Sequence, residues 1–196
     1  MVNYEALCNT LNQKGYVASY FATAQEAADY LDQQIDGVSV GIGGSITAKE
    51  MGLYPRLSAH NQVIWHWEGG SLAEAATADV YITSVNGLAE TGEIINIDGN
   101  CNRVASYMYG HKKVYLVVGA NKIAPDYESA LWRARNIAAP KNAQRLNRKT
   151  PCAVKADKCY NCSSPDRICQ ALTVLWGKPG MIDTMEILLI DESLGY

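Results

Sequence analysis

Residues 79–103 read DVYITSVNGLAETGEIINIDGNCNR, and the change of character inside this stretch decides the fold. Asp79–Thr83 is an apolar run of strand length, rich in Val, Tyr and Ile. Of the twenty residues that follow, Ser84–Arg103, twelve are Gly, Ser, Thr, Asn, Asp or Glu. A helix is expected to begin near Val104. A polar connection this long, leaving a buried strand, is expected to be functional, because a loop of that size has many backbone groups to satisfy and much ordering entropy to offset. Its carboxylates and carboxamides offer directed hydrogen bonds, so Asn86, Glu93, Asp98 and Asn102 are candidate lining residues of a polar small-molecule site. Glu93 and Asp98 are the acid–base candidates within it, with Glu90 beside them.

Outward from this stretch, helical and strand-like segments alternate. Asn3–Lys14 reads as an amphipathic helix and Tyr16–Phe21 as a strand. Thr23 and Glu26 form a capping box that opens a helix running to about Ile35. Val38–Ile42 and Gln62–Trp67 read as strands, and Ser71 with Glu74 as a second capping box. Lys113–Val118 and Met185–Ile190 are apolar strands, while Asp126–Ala138 and a shorter Asn142–Arg148, after Pro140, are helical. This alternation points to an α/β domain with a Rossmann-like, open and mostly parallel sheet covered by helices on both faces. The whole chain, 1–196, is expected to form one such domain, with residues 150–170 a cysteine-rich segment inside it.

In open parallel sheets ligands sit outside the carboxyl ends of the strands. Three expected connections leave such ends: Gly43–Thr47, Ser84–Arg103 and Gly119–Lys122. The first belongs to VSVGIGGSIT (38–47), a strand, a glycine turn and a helix start, which suits an anion; Gly43, Gly44, Ser45 and Thr47 are its candidate residues. Arg103 and Lys122 are the candidate partners of a substrate carboxylate. Neither GxxxxGK[ST] nor GxGxxG is present, so no nicotinamide fingerprint is read. His66, in WHW, reads as a strand residue packed among aromatics, and His111 as a loop residue.

Net charge is −3, yet residues 103–158 hold twelve Lys/Arg against three Asp/Glu. That asymmetry points to an anionic partner, and a small anionic metabolite fits better than nucleic acid, because the overall balance is acidic and no RNA- or DNA-binding pattern appears. No run is long and apolar enough to span a bilayer, and the first residues carry no apolar signal core, so a cytoplasmic protein without membrane contact is expected. Self-association is left open.

Cys152, Cys159, Cys162 and Cys169 form C-x6-C-x2-C-x6-C. Four thiols this close around a CxxC suit a tetrahedral metal; zinc and an iron–sulfur cluster both fit, and the long outer spacers match neither the paired-CxxC zinc ribbon nor the bacterial ferredoxin run. Free thiols or a disulfide are the third option, the disulfide being disfavoured in a reducing cytosol. The basic residues nearby, Lys149, Lys155, Lys158 and Arg167, would favour thiolate.

Several of these segments together resemble the LUD (lactate utilisation) domain family: VGIGGSIT (40–47), ADVYITSVNGLAETGEIINIDGNCNRVA (78–105), KKVYLVVGANKI (112–123), AAPKNAQRL (138–146), CSSPDRIC (162–169) and LGY (194–196). The resemblance implies a NagB/RpiA/CoA-transferase-like fold and a role in lactate use. It makes this chain a candidate oxidoreductase subunit in L-lactate (2-hydroxyacid) oxidation to pyruvate, with iron–sulfur redox partner proteins. Where the family pattern is DGTGNR, this chain has Cys101 in place of the second glycine. Two other readings stand beside this one: a metal-stabilised anion-binding module without catalysis, and a non-redox enzyme of the phosphosugar-isomerase or CoA-transferase type.

Overall fold

The computed structural model of the protein describes residues 2–196. Its main sheet has six strands, β1 (Val17–Phe21), β2 (Ser39–Ile42), β3 (Gln62–Trp65), β4 (Val80–Ser84), β7 (Lys113–Gly119) and β10 (Thr184–Ile190), in the order β1-β10-β7-β4-β2-β3. Every pairing is parallel. A smaller mixed sheet, ordered β8-β5-β6-β9, is built from β5 (Gly87–Ala89), β6 (Ile94–Asp98), β8 (Ile123–Ala124) and β9 (Ala171–Leu175). The expected α/β architecture with an open parallel sheet is the one observed.

Strand periodicity explains why the central strands are apolar throughout. Side chains alternate across a sheet, so a strand covered on both faces needs apolar residues at every position. In β7, Tyr115 and Val117 join the core on one face while Val114, Leu116 and Val118 join the other; in β10, Leu188 and Ile190 oppose Ile187 and Leu189. The first core is closed by α2 (Ala24–Gln34), α3 (Ile46–Glu50) and α4 (Leu53–Leu57), the second by α1 (Tyr4–Gln13) and α6 (Asn102–Met108). Thr23 and Glu26 make the reciprocal capping box at α2. At α5 (Leu72–Ala75) only half of the expected box forms: the Ser71 hydroxyl accepts from the N–H groups of Ala73 and Glu74.

Three expectations are corrected. First, Ser84–Arg103 is not one winding loop. Val85, Leu88, Ile94 and Ile95 are buried, and they carry the antiparallel pair β5–β6 onto the second core and onto a small third one against α7 (Tyr127–Arg133). Secondly, Pro140 does not separate two helices. Helix α7 runs through a π turn, Ala134–Ala138, into α8 (Ala139–Arg145). Proline has no N–H for the carbonyl four residues back and its ring crowds that carbonyl, and the wider turn removes both conflicts. Thirdly, β3 ends at Trp65, and a 3-10 turn, His66–Glu68, carries His66 off the sheet. His111 does lie in the connection between α6 and β7, as expected, and there it is buried, bonded through Nδ1 to the Ala78 carbonyl at 2.8 Å and stacked on Tyr81.

The chain between α9 (Pro151–Lys155) and β9 holds three of the four clustered cysteines and is mostly irregular; β9 then pairs with β6, which ties this segment to the stretch that follows β4. No helix among the described residues is long and apolar enough to cross a membrane.

Candidate functional site

Strands β7, β4 and β2 are neighbours, so their carboxyl ends place Gly119–Lys122, Ser84 and Gly43–Ser45 side by side. The four residues of the glycine turn do different work. Gly43 N–H bonds to Ile82 O at 2.9 Å, and a Cβ at Gly43 would lie 2.7 Å from the Tyr81 hydroxyl and 2.8 Å from Thr83 Oγ1. Gly43 is therefore a close-approach glycine that lets β2 exit against β4, and its N–H is already engaged. Gly44 borders the open space beside His66 and Trp67. Ser45 caps α3, its hydroxyl accepting from Ala48 N–H at 3.1 Å. Thr47 is fully buried and points at Lys122.

Lys122 is the most unusual group in the molecule. It is 4% exposed, and its Nζ lies 2.8 Å from both Thr47 Oγ1 and Ser84 Oγ. Each hydroxyl spends its own proton on a carbonyl: Ser84 Oγ donates to Val117 O at 2.6 Å and Thr47 Oγ1 to Leu194 O at 3.2 Å. Both must then accept from the lysine. Among the described residues no carboxylate pairs with the amine. Burial first, then the charges of Arg133 and Arg103, push Lys122 down to about 7, with Glu50 opposing.

Arg103 forms a further part of the site's wall, meeting Lys122 at Ser84, and both its terminal nitrogens are hydrogen-bonded. Nη1 donates to Ser84 O (3.0 Å) and Asn96 Oδ1 (2.6 Å), and Nη2 to Ile97 O (2.9 Å) and Asn86 Oδ1 (3.4 Å). Nε faces Asp98 Oδ2 at 3.4 Å. Four N–H groups are hydrogen-bonded and the fifth, on Nε, faces the Asp98 carboxylate as an ion pair without a formed hydrogen bond, so the guanidinium is committed to the protein rather than to a substrate carboxylate. Arg103 instead straps α6 to the end of β4 and to β6. Asn86 is part of the strap, its Oδ1 also accepting from Ile97 N–H at 2.7 Å. Asp98 accepts from Cys101 N–H at 3.2 Å.

Beside these groups lies a hollow of about 470 Å³. Gly44, Ser45, Ser84, Asn86, Asp98, Asn102, Arg103 and Lys122 all border it, so the candidate residues from all three strand ends meet. Its outer rim comes from the α8 region: Arg145, Arg148 and Asn142. The Arg145 guanidinium lies 5.0 Å from the centre of the Trp67 ring and shares the Asn142 carboxamide oxygen through Nε and Nη2. His66 borders the hollow with Nδ1 buried and unbonded; burial, then the Arg145 charge, lower its pKa, so the ring is neutral at pH 7. Of the twelve basic residues in 103–158, Arg103, Lys122, Arg145 and Arg148 border the hollow. Lys122 among hydroxyls, His66 and Arg145 as pocket groups, and Ser84 as the partner of the lysine, depend on contacts between distant segments and gave no local signal.

Two groups of candidates lie elsewhere. Glu93 does not reach the hollow: it sits on the far side of the β5–β6 turn, where it pairs with Lys14 at 3.3 Å and bonds to Thr91. Burial works against its ionisation, but the Thr91 hydroxyl, its own backbone N–H and Lys14 hold the carboxyl below its usual range. Cys152, Cys159, Cys162 and Cys169 are all free and half-buried. Arg167 lies among them, Nε 3.1 Å from Cys169 Sγ and Nη1 2.9 Å from Cys162 O, while Cys152 Sγ contacts Thr150 Oγ1 at 3.2 Å. Cys159 and Cys169 border a second cavity of about 280 Å³. Among the described residues no group of three or more His, Cys, Asp or Glu side chains is gathered as a metal site.

Comparison with known proteins places this arrangement. The LUD domain family matches residues 4–190. Among solved structures, a DUF162 family protein from Deinococcus radiodurans aligns at a TM-score of 0.58 and 14% identity, covering 95% of this chain and 94% of that one; at this identity the likeness shows a shared fold. eIF2B beta from Chaetomium thermophilum aligns at a TM-score of 0.40 and 17% identity, over 64% of this chain and 47% of that one. No curated protein matches.

Proposed function

We propose, from the premise that the chain belongs to the LUD domain family, that it serves lactate utilisation by holding a small 2-hydroxy or 2-oxo acid in the hollow at the strand carboxyl ends. The observation that carries this reading is the meeting of Lys122, without a carboxylate partner, and the Arg145–Arg148 rim around one space of about 470 Å³. A cationic mouth suits an acid anion, and a buried amine without a carboxylate partner suits a proton acceptor beside it. Conversion of L-lactate to pyruvate removes two electrons and two protons. Lys122, depressed to about 7 and so neutral above that pH, is the group we assign to take the hydroxyl proton, while the two electrons and the C2 proton would go to a separate iron–sulfur redox partner protein. L-Lactate and pyruvate should each raise the melting temperature, and Arg145→Glu should reduce that rise. Absence of stabilisation by either acid, across a wide concentration range, overturns the reading.

A metal at the four-cysteine segment is a separate proposal, supported by the spacing of Cys152, Cys159, Cys162 and Cys169 and by the few apolar residues between them. Metal analysis and an absorption spectrum of anaerobically purified protein test it: stoichiometric iron or zinc supports it, and metal-free protein of unchanged stability refutes it.

A further inference from the structure

We propose that Lys122 Nζ condenses reversibly with the carbonyl carbon of a 2-oxo acid seated in the hollow, to give an imine. This deepens the reading above and rests on it. The inference comes from counting protons around the amine. Ser84 and Thr47 each give their hydroxyl proton to a carbonyl, so each accepts one N–H from Lys122. A neutral amine has two N–H groups and one lone pair. Both N–H groups are assigned by these bonds, which leaves the lone pair the one remaining direction, and Lys122 is among the residues that border the hollow. Nothing in the lattice of bonds around the nitrogen uses that lone pair.

An aligned lone pair on a desolvated amine is a nucleophile for a carbonyl carbon. The acid's carboxylate fits the cationic rim and supplies the negative charge that an iminium requires beside it. In the first step the nitrogen lone pair forms the C–N bond, the carbonyl π pair moves to oxygen, and that oxygen takes a proton from nitrogen. In the second, the hydroxyl leaves as water with one proton from solvent, and the nitrogen lone pair forms the C=N bond. The resulting iminium keeps one N–H, which either Ser84 or Thr47 accepts. A lysine held only as a structural pillar would need none of this, and reduction of the adduct separates the two roles.

The full chain is treated with pyruvate and sodium cyanoborohydride at pH 7, and its intact mass and peptide map are recorded. The expected product carries one carboxyethyl group per chain, on Lys122, ahead of exposed lysines such as Lys112; Lys122→Met loses it. The map on the unaltered protein decides even if that variant does not fold. An unmodified Lys122, or modification spread over exposed lysines, overturns the imine. Thermal stabilisation by pyruvate without reductant is measured alongside. Stabilisation with Lys122 unmodified sinks the imine and leaves the acid site standing, whereas no stabilisation and no adduct sinks both.

Discussion

Ser84 Oγ and Lys122 Nζ lie 2.8 Å apart, at the ends of two adjacent parallel strands, with the serine proton directed away to Val117 O. The serine is thus an acceptor for the lysine and nothing else. Ser84→Ala leaves one lysine N–H and the Val117 carbonyl without their partner in a buried site. The expected cost is about 1–3 kcal/mol of unfolding free energy, read by urea denaturation. A change near zero would mean that the bond does not form.

The lysine also sets a pH signature. Its folded pKa is depressed to about 7 from an ordinary 10.5. Between those values the unfolded chain binds the proton and the folded chain does not, so this group adds stability as pH rises. Its penalty is full below about pH 7. The melting temperature of the protein should therefore gain on that of Lys122→Met from pH 7 upward, and parallel curves would contradict the depressed pKa.

Arg103 is expected to act on stability rather than on ligand affinity. Removing its side chain strands Asp98 and several acceptors in a half-buried site. Arg103→Ala should lose about 3–5 kcal/mol in denaturant unfolding. Arg103→Lys should recover little of it, since one ammonium cannot serve five directions. A stable Arg103→Ala protein with weakened acid binding would restore the arginine to the role of substrate clamp.

The two glycines of the turn should respond differently. Gly43→Ala drives a Cβ against the Tyr81 hydroxyl and Thr83, at an expected cost of about 1–3 kcal/mol. Gly44→Ala meets nothing nearer than His66 Cε1 at 3.4 Å, so folding should be retained and any effect should fall on acid binding. Equal losses of stability in both would refute this division of labour.

Cys101 holds a φ of 63°, the left-handed region that favours glycine. Cys101→Gly should raise stability by about 1 kcal/mol by relieving it. A fall in melting temperature would show that the thiol's packing in the second core outweighs the backbone term.

How much of this was legible in the sequence follows from the range of each interaction. Strands β4, β7 and β10 announce themselves because burial on both faces demands continuous apolar residues, a purely local pattern. The glycine turn and the Thr23 cap are local too. The pair β5–β6 was obscured because polar turn residues outnumber Leu88, Ile94 and Ile95, although those three apolar positions were the available signal. Strand β9 is fixed by pairing with β6, far away in the chain. The meeting of the three strand ends could be expected from parallel topology. The engagement of Arg103, the removal of Glu93 to a pair with Lys14, and the hydroxyl cradle of Lys122 could not, because each is made by residues brought together only by the tertiary fold.

An acid anion seated between Lys122 and the Arg145 rim is the feature on which the proposed function stands. Isothermal titration of pyruvate into the protein, and into Arg145→Glu, tests it directly. The account predicts saturable binding at one site per chain, weakened about tenfold or more by the substitution, the equivalent of one charge-assisted hydrogen bond. No measurable heat of binding, or an affinity indifferent to the charge at position 145, would contradict it.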